Sequence, residues 1–195
     1  MSLFKIFSVI LVLCLSLPAQ AGLLFEPYAG YAMGDHKSID ATTEQTQSGN
    51  IDGFAYGAKA GWMFGRFFLG GEYQASRAQR KMDGTAEAVN WANTSIFGVI
   101  GLQSQVGLRI SAAMTVTPHT SVESSLPERT TYTGSAKKLS IGYHYRIPLA
   151  LNVDYIIYEF DKYKQGESKG DIKERFSKFE YSTLMLSLSF PFEMH

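Results

Sequence analysis

From residue 24 onward the chain repeatedly alternates apolar and polar residues, the period-two pattern of strands with two different faces. In 106–116, Val106, Leu108, Ile110, Ala112, Met114 and Val116 share one face, against Gly107, Arg109, Ser111, Ala113 and Thr115. In 138–147 the apolar set is Leu139, Ile141, Tyr143, Tyr145 and Ile147, opposite Lys138, Ser140, Gly142, His144 and Arg146. Similar alternation fills 24–33, 54–64, 66–76, 149–158 and 183–192. In 92–102 the facing stays open, because Ile96, Ile100 and Leu102 compete with Phe97 and Val99 for the same side. No helical period of 3.6 fits these segments. Pro27 lacks a ladder donor and suits only a strand start or a bulge.

The connections between these segments alternate in length. Four are long and polar: 34–53, 78–92, 117–136 and 161–178. The short ones lie at Gly65, at Gln103-Ser104-Gln105 and at Ile147-Pro148. Eight strands with this rhythm predict an all-β fold, an eight-stranded antiparallel up-and-down transmembrane β-barrel. Strands of about ten residues, short turns at one end and long external loops at the other make up that pattern.

The two faces distinguish a membrane barrel from a soluble one. One face of nearly every strand is wholly aliphatic or aromatic. The other carries Glu26, Lys59, Arg66, Glu72, Arg109, His144, Arg146 and Asp154. An apolar ligand pocket would have to desolvate those charges, and on a lipid face a mid-plane Lys or Arg costs roughly 2–4 kcal/mol. Turned inward in a membrane barrel, they can pair with one another. Phe25, Trp62, Phe64, Phe67, Tyr145, Phe190 and Phe192 fall near the short-turn end, and Tyr31, Phe54, Tyr56 and Tyr73 near the long-loop end. Two such belts match two membrane–water interfaces.

Composition and the N-terminus add the route. Lys5, the apolar run Ile6 to Leu17 and the Ala19-Gln20-Ala21 sequence read as a signal peptide, cleaved after Ala21. The expected organisation is a signal peptide over 1–21 and one barrel domain over 22–195. Cys14, the chain's one cysteine, lies in the removed part, so the mature chain is expected to hold neither a disulfide nor a thiolate metal site. Eighteen basic residues balance eighteen acidic ones, which leaves no surplus for nucleic acid.

The opening strand "LFEPYAGYAMG", the strand–turn rhythm and the closing strand "YSTLMLSLSFPF" resemble the small eight-stranded OmpA-like and OmpX-like outer-membrane β-barrel domains. The resemblance covers about 24 to 192. It implies a location in the outer membrane of a Gram-negative bacterium, a monomer, and contact with outer-membrane lipid and lipopolysaccharide. It also implies that the barrel-assembly machinery reads a terminal aromatic. Here Phe192 is followed by Glu193, Met194 and His195, with Pro191 before it, a departure from the family's terminal Phe.

The interior of eight strands is just wide enough for side chains to fill. Lys59, Glu72, Arg109 and Asp154 fall at similar mid-barrel heights, with Glu26 and Arg146 on the same face. Lys59 is expected diagonal to Glu72. The expected result is an internal ion-pair plug, with a narrow gated channel for small ions or solutes as the alternative. A lipid A-modifying enzyme is the third possibility. Its hydrolytic form needs a nucleophile with a base beside it, and His36, His119, His144 and His195 show no evident Ser partner. No catalytic, cofactor-binding or metal site is expected, since four scattered His give no ligand spacing. Binding is therefore expected in the long loops. Segment 161–178 is dense in charge and is expected to extend the last two strands as a hairpin, with Gly166 to Gly170 at its tip.

Overall fold

The computed structural model describes residues 21–83, 88–124, 129–145 and 148–194. The expected signal peptide lies outside these, apart from Ala21. The elements are β1 (Ala21–Asp40), β2 (Thr46–Phe64), β3 (Phe67–Met82), β4 (Ala88–Gln103), β5 (Leu108–Thr115), β6 (His119–Ser124), β7 (Arg129–His144) and β8 (Ala150–Gln165). They are followed by β9 (Ser168–Asp171), the single-turn helix α1 (Ile172–Arg175), β10 (Phe176–Ser189) and β11 (Phe192–Met194).

Every strand pairs antiparallel with its neighbours, and β10 returns to pair with β1. β5 and β6 together make one barrel strand, both lying between β4 and β7. The break between them falls at 116–118, where Pro118 has no N–H to donate to a ladder. The result is a closed ring of eight strands with no free edge, the arrangement a lipid environment requires of a sheet.

Local chemistry sets the ends. Between β2 and β3 the two-residue turn Gly65-Arg66 places Gly65 at φ +63°, a conformation that costs glycine least. At the opposite end the Asp40 carboxylate accepts the N–H groups of Thr42 (2.9 Å) and Thr43 (2.8 Å), fixing the turn between β1 and β2. The final strand, expected to be continuous over 183–192, is interrupted at Phe190-Pro191 and resumes as β11. Its register does not slip: Tyr28 faces Ser189 and Phe25 faces Phe192. Pro27 and Pro191 both lie at this seam, where the Phe190 N–H donates to the Pro27 carbonyl at 3.0 Å.

The four segments expected as long loops are mostly strand. β1 and β2 pair as far as Ile39 and Thr46, leaving a short turn in place of a loop over 34–53. β3 and β4 pair to Lys81 and Ala88, and β6 and β7 to Ser124 and Arg129. In 161–178, Lys162–Gln165 pair with Ser168–Asp171, so Gly166 is at the hairpin tip while Gly170 sits opposite Tyr163. The cause is a change of medium. Above the last lipid-facing residues the outside is polar and the inside is built mainly of aromatic rings around a few paired polar groups, so the period of two persists while the large apolar side chains change face. β4 shows its facing: Ile96, Ile100 and Leu102 point outward, while Phe97 and Val99 are buried within.

Candidate functional site

The exterior below that change is an apolar belt. On β1 it runs from Leu23 and Phe25 to Tyr31 and Met33, and on β10 through Leu184, Leu186 and Leu188, all well exposed. Its height matches the ~9–11 residues a tilted transmembrane strand needs. Trp62, Tyr145, Phe190 and Phe192 are exposed near the short-turn end, with Phe64 and Phe67 half-buried beside them. Among the described residues, no charged side chain faces outward within this belt.

Inside the belt the charges are paired across the barrel. Glu26, Lys59 and Glu72 sit directly opposite one another on β1, β2 and β3. Lys59 is thus opposite Glu72, not diagonal to it, because the two-residue turn brings them into one row. Arg109 reaches over from β5 and grips both oxygens of Glu26, at 2.9 and 2.5 Å. This is the bidentate geometry of the strongest carboxylate pairs. Glu72 is held instead by the ammonium of Lys138 on β7 and by the hydroxyl of Tyr28, and Lys138 also donates to Gln74 at 2.8 Å. Asp154 is buried near Ser187, whose hydroxyl lies 3.4 Å away. Lys59 makes no ion pair among the described residues and lies 5.8 Å from the centre of the Tyr28 ring. Arg146 lies outside the described residues.

The named interior charges balance, with Glu26, Glu72 and Asp154 against Lys59, Arg109 and Lys138. A cavity of about 20 Å³, lined in part by Lys59, Arg109, Ser111 and Ser140, remains beside them. That is room for about one water.

Above the belt the interior becomes an aromatic core. Tyr158 and Tyr181 stack at 4.4 Å, and Trp91 stacks on Tyr132 at 5.4 Å. Phe160 and Phe179 pack among them. An ion pair in this region, Arg80–Glu123 at 2.7 Å, lies against Trp91, with the Arg80 guanidinium 5.2 Å from the ring centre. α1 closes the top by burying Ile172, while Arg175 rests over Tyr163 and Phe176 at 5.4 Å from each. The Ala41 N–H donates to the Arg175 carbonyl at 3.0 Å and ties this closure to the turn after β1.

Two buried histidines belong to this core, and neither was evident as a site from sequence. His119 is hydrogen-bonded to Ser95 Oγ at 2.5 Å and to Ser121 Oγ at 2.7 Å. Ser121 donates on to Asn93, which donates to the Tyr181 hydroxyl at 3.0 Å. Ser–His contacts thus exist, one to Ser121 two residues along the same strand and one to Ser95 on the neighbouring β4. They place no carboxylate on the imidazole, and His119 is fully enclosed beneath Tyr158 and Phe160. His36 sits 3.5 Å from Arg80 and packs on Phe179. Burial first, then the Arg80 charge, lowers the His36 pKa to about 4, and burial alone lowers that of His119 to about 4. Both are neutral at ordinary pH.

Among the described residues, no group of three or more His, Cys, Asp or Glu is arranged to hold a metal ion.

No protein-family model matches the chain, and no curated protein matches it in sequence. Solved structures that match its fold include three small outer-membrane proteins. Ail, the attachment invasion locus protein of Yersinia pestis, superposes with a TM-score of 0.57 at 13% identity, over 87% of this chain and 98% of Ail. Neisserial surface protein A superposes at 0.55 with 9% identity, over 86% and 97%. The outer membrane protein OprG of Pseudomonas aeruginosa superposes at 0.51 with 11% identity, over 87% and 95%. The chain therefore has the fold of the small outer-membrane β-barrels, and its apolar belt places it across a bilayer.

Proposed function

We propose that this chain is a non-enzymatic, non-conducting outer-membrane barrel, with its working surface on the strand extensions outside the cell. The observation that carries this reading is the aromatic core above the belt, which fills the extracellular half of the barrel from Trp91 to Ile172. A filled core makes that half a rigid stalk and leaves its outward residues to do the recognising. That Ail is named the attachment invasion locus protein and the Neisserial protein a surface protein supports a surface role. The partners implied are outer-membrane lipid, lipopolysaccharide and, during biogenesis, the barrel-assembly machinery. Planar-bilayer recording tests the reading: no steady conductance is expected from the refolded barrel, and a reproducible channel would overturn it.

One observation favours a second reading, a narrow gated channel. Lys59 stands opposite both Glu26 and Glu72, yet both carboxylates are held by other cations. An exchange of partners among these groups would be the gate. Conductance that changes with Lys59→Ala would favour it.

A further inference from the structure

The first outward charge above the apolar belt differs from strand to strand. It is Asp35 on β1, Asp52 on β2, Arg77 on β3, Lys137 on β7, Glu159 on β8 and Glu180 on β10. Lys137 is tied to Glu159 at 2.7 Å, and Glu180 to Lys178 at 2.9 Å. Asp52 accepts a hydrogen bond from the Tyr31 hydroxyl at 2.7 Å. Arg77 is thus the one cation of this ring without an ion pair among the described residues.

Its surroundings form a groove of about 440 Å³ on the outer surface. Tyr31 and Phe54 make one wall, packed edge to face at 5.4 Å, and Phe54 is 71% exposed. Asn90, Ala92 and Val122 continue it across β4 and β6 without a charge. Arg77 lies between Phe54 and Ala92 in register, so small and apolar neighbours leave its guanidinium open. A planar fork of donors beside an aromatic shelf suits a phosphate carried on an amphipathic molecule. The height is that of lipid headgroups, immediately above the last lipid-facing residues. Asp52 lines the same groove at its β2 edge, where the Tyr31 hydroxyl donates to it, so the phosphate belongs on the β3–β4 side of Arg77, away from that carboxylate.

We infer that the face of β3, β4 and β6 is a docking groove for a phosphorylated glycolipid of the outer leaflet. Arg77 holds the phosphate, and Phe54 packs against the sugar or the first part of an acyl chain. This rests on the proposed outer-membrane location and assigns one place on the barrel to its lipid.

The test uses the full mature barrel refolded in lipid nanodiscs and native mass spectrometry of the lipid retained on release. Bisphosphorylated lipid A and the same lipid A stripped of phosphate are offered in competition, with inorganic phosphate added in a separate arm. Wild type is expected to retain the phosphorylated form preferentially. Arg77→Gln should lower that preference about tenfold, the scale of one charge-assisted contact, Arg77→Lys should restore part of it, and Lys137→Gln should leave it unchanged. Equal retention of both lipids, or no response to Arg77→Gln, would overturn the groove. Displacement by millimolar inorganic phosphate would show an anion site that does not read the lipid, and would also overturn it. A barrel that stays soluble without detergent and never enters the disc would instead contradict the membrane reading beneath it.

Discussion

The two halves of the barrel are built on opposite rules, and β8 crosses from one to the other. In its lower part Leu151, Val153 and Tyr155 face out while Asn152 and Asp154 face in; higher up, Glu159 faces out while Tyr158 and Phe160 face in. Ile156 and Ile157, apolar on both sides, mark the crossing. Below it the surroundings are lipid, so apolar residues gain nothing by turning inward and the interior can be polar if its groups are paired. Above it the surroundings are water, and the hydrophobic effect again drives apolar side chains inside. A single strand carries both solutions because the pleat alternates faces regardless of medium. What distinguishes the halves is the kind of interior each can keep: an ion-pair network below, an aromatic core above.

That difference can be broken from either side. The largest effect is expected from Arg109→Ala, which strands the fully buried Glu26 without its bidentate partner. Removing one member of a buried pair costs about 3–5 kcal/mol, whereas replacing both by apolar residues of similar volume is close to neutral. Urea unfolding of the barrel in detergent micelles should show the single variant strongly destabilised and an apolar double variant at 26 and 109 largely recovered. In the upper half, Trp91→Ala removes a stacked ring and the surface on which Arg80 lies, a loss of about 3–4 kcal/mol. Limited proteolysis should then cut the extensions above the belt while the membrane half keeps its heat-modifiable gel shift.

Acid should separate the halves next. His36 and His119 have folded pKa values of about 4, below the ordinary 6.5. Between those values the unfolded extension binds more protons than the folded one. The contribution is therefore complete above pH 6.5 and is lost as pH falls toward 4, on the order of 2–3 kcal/mol for each histidine. Protease sensitivity of the upper half should rise over that window, and His119→Asn should blunt the rise. The smallest effect is expected outside: Lys137→Ala breaks an exposed pair with Glu159 and should change stability by less than about 1 kcal/mol.

The membrane half was legible in the sequence because its outward residues are uniformly apolar and its turns short. The segments at 54–64, 66–76 and 106–116 needed only a period of two. The upper half was legible only as far as Tyr158, because Trp91, Tyr132 and Phe160 continue the alternation with the apolar set on the other face. Set among Ser, Thr, Lys and Glu, they resemble loop residues. The same blindness hid Lys138. It stood at the first position of an expected strand over 138–147, whereas β7 begins at Arg129 and carries it to mid-barrel beside Glu72 and Phe97. In 92–102 both faces looked apolar because Phe97 and Val99 pack inside, against the stem of the polar network. The contact of His119 with Ser95 joins β6 to β4, a pairing that no spacing along the chain displays.

The central claim is that the half above the belt is a folded continuation of the barrel around its own aromatic core. Amide hydrogen exchange on the refolded, detergent-bound protein tests it most directly. Slow exchange is expected in the paired backbone of 90–94, 119–123, 130–136 and 158–163, comparable with strands inside the belt. Fast exchange there, as in solvated loops, with protection confined to the belt, would contradict the account.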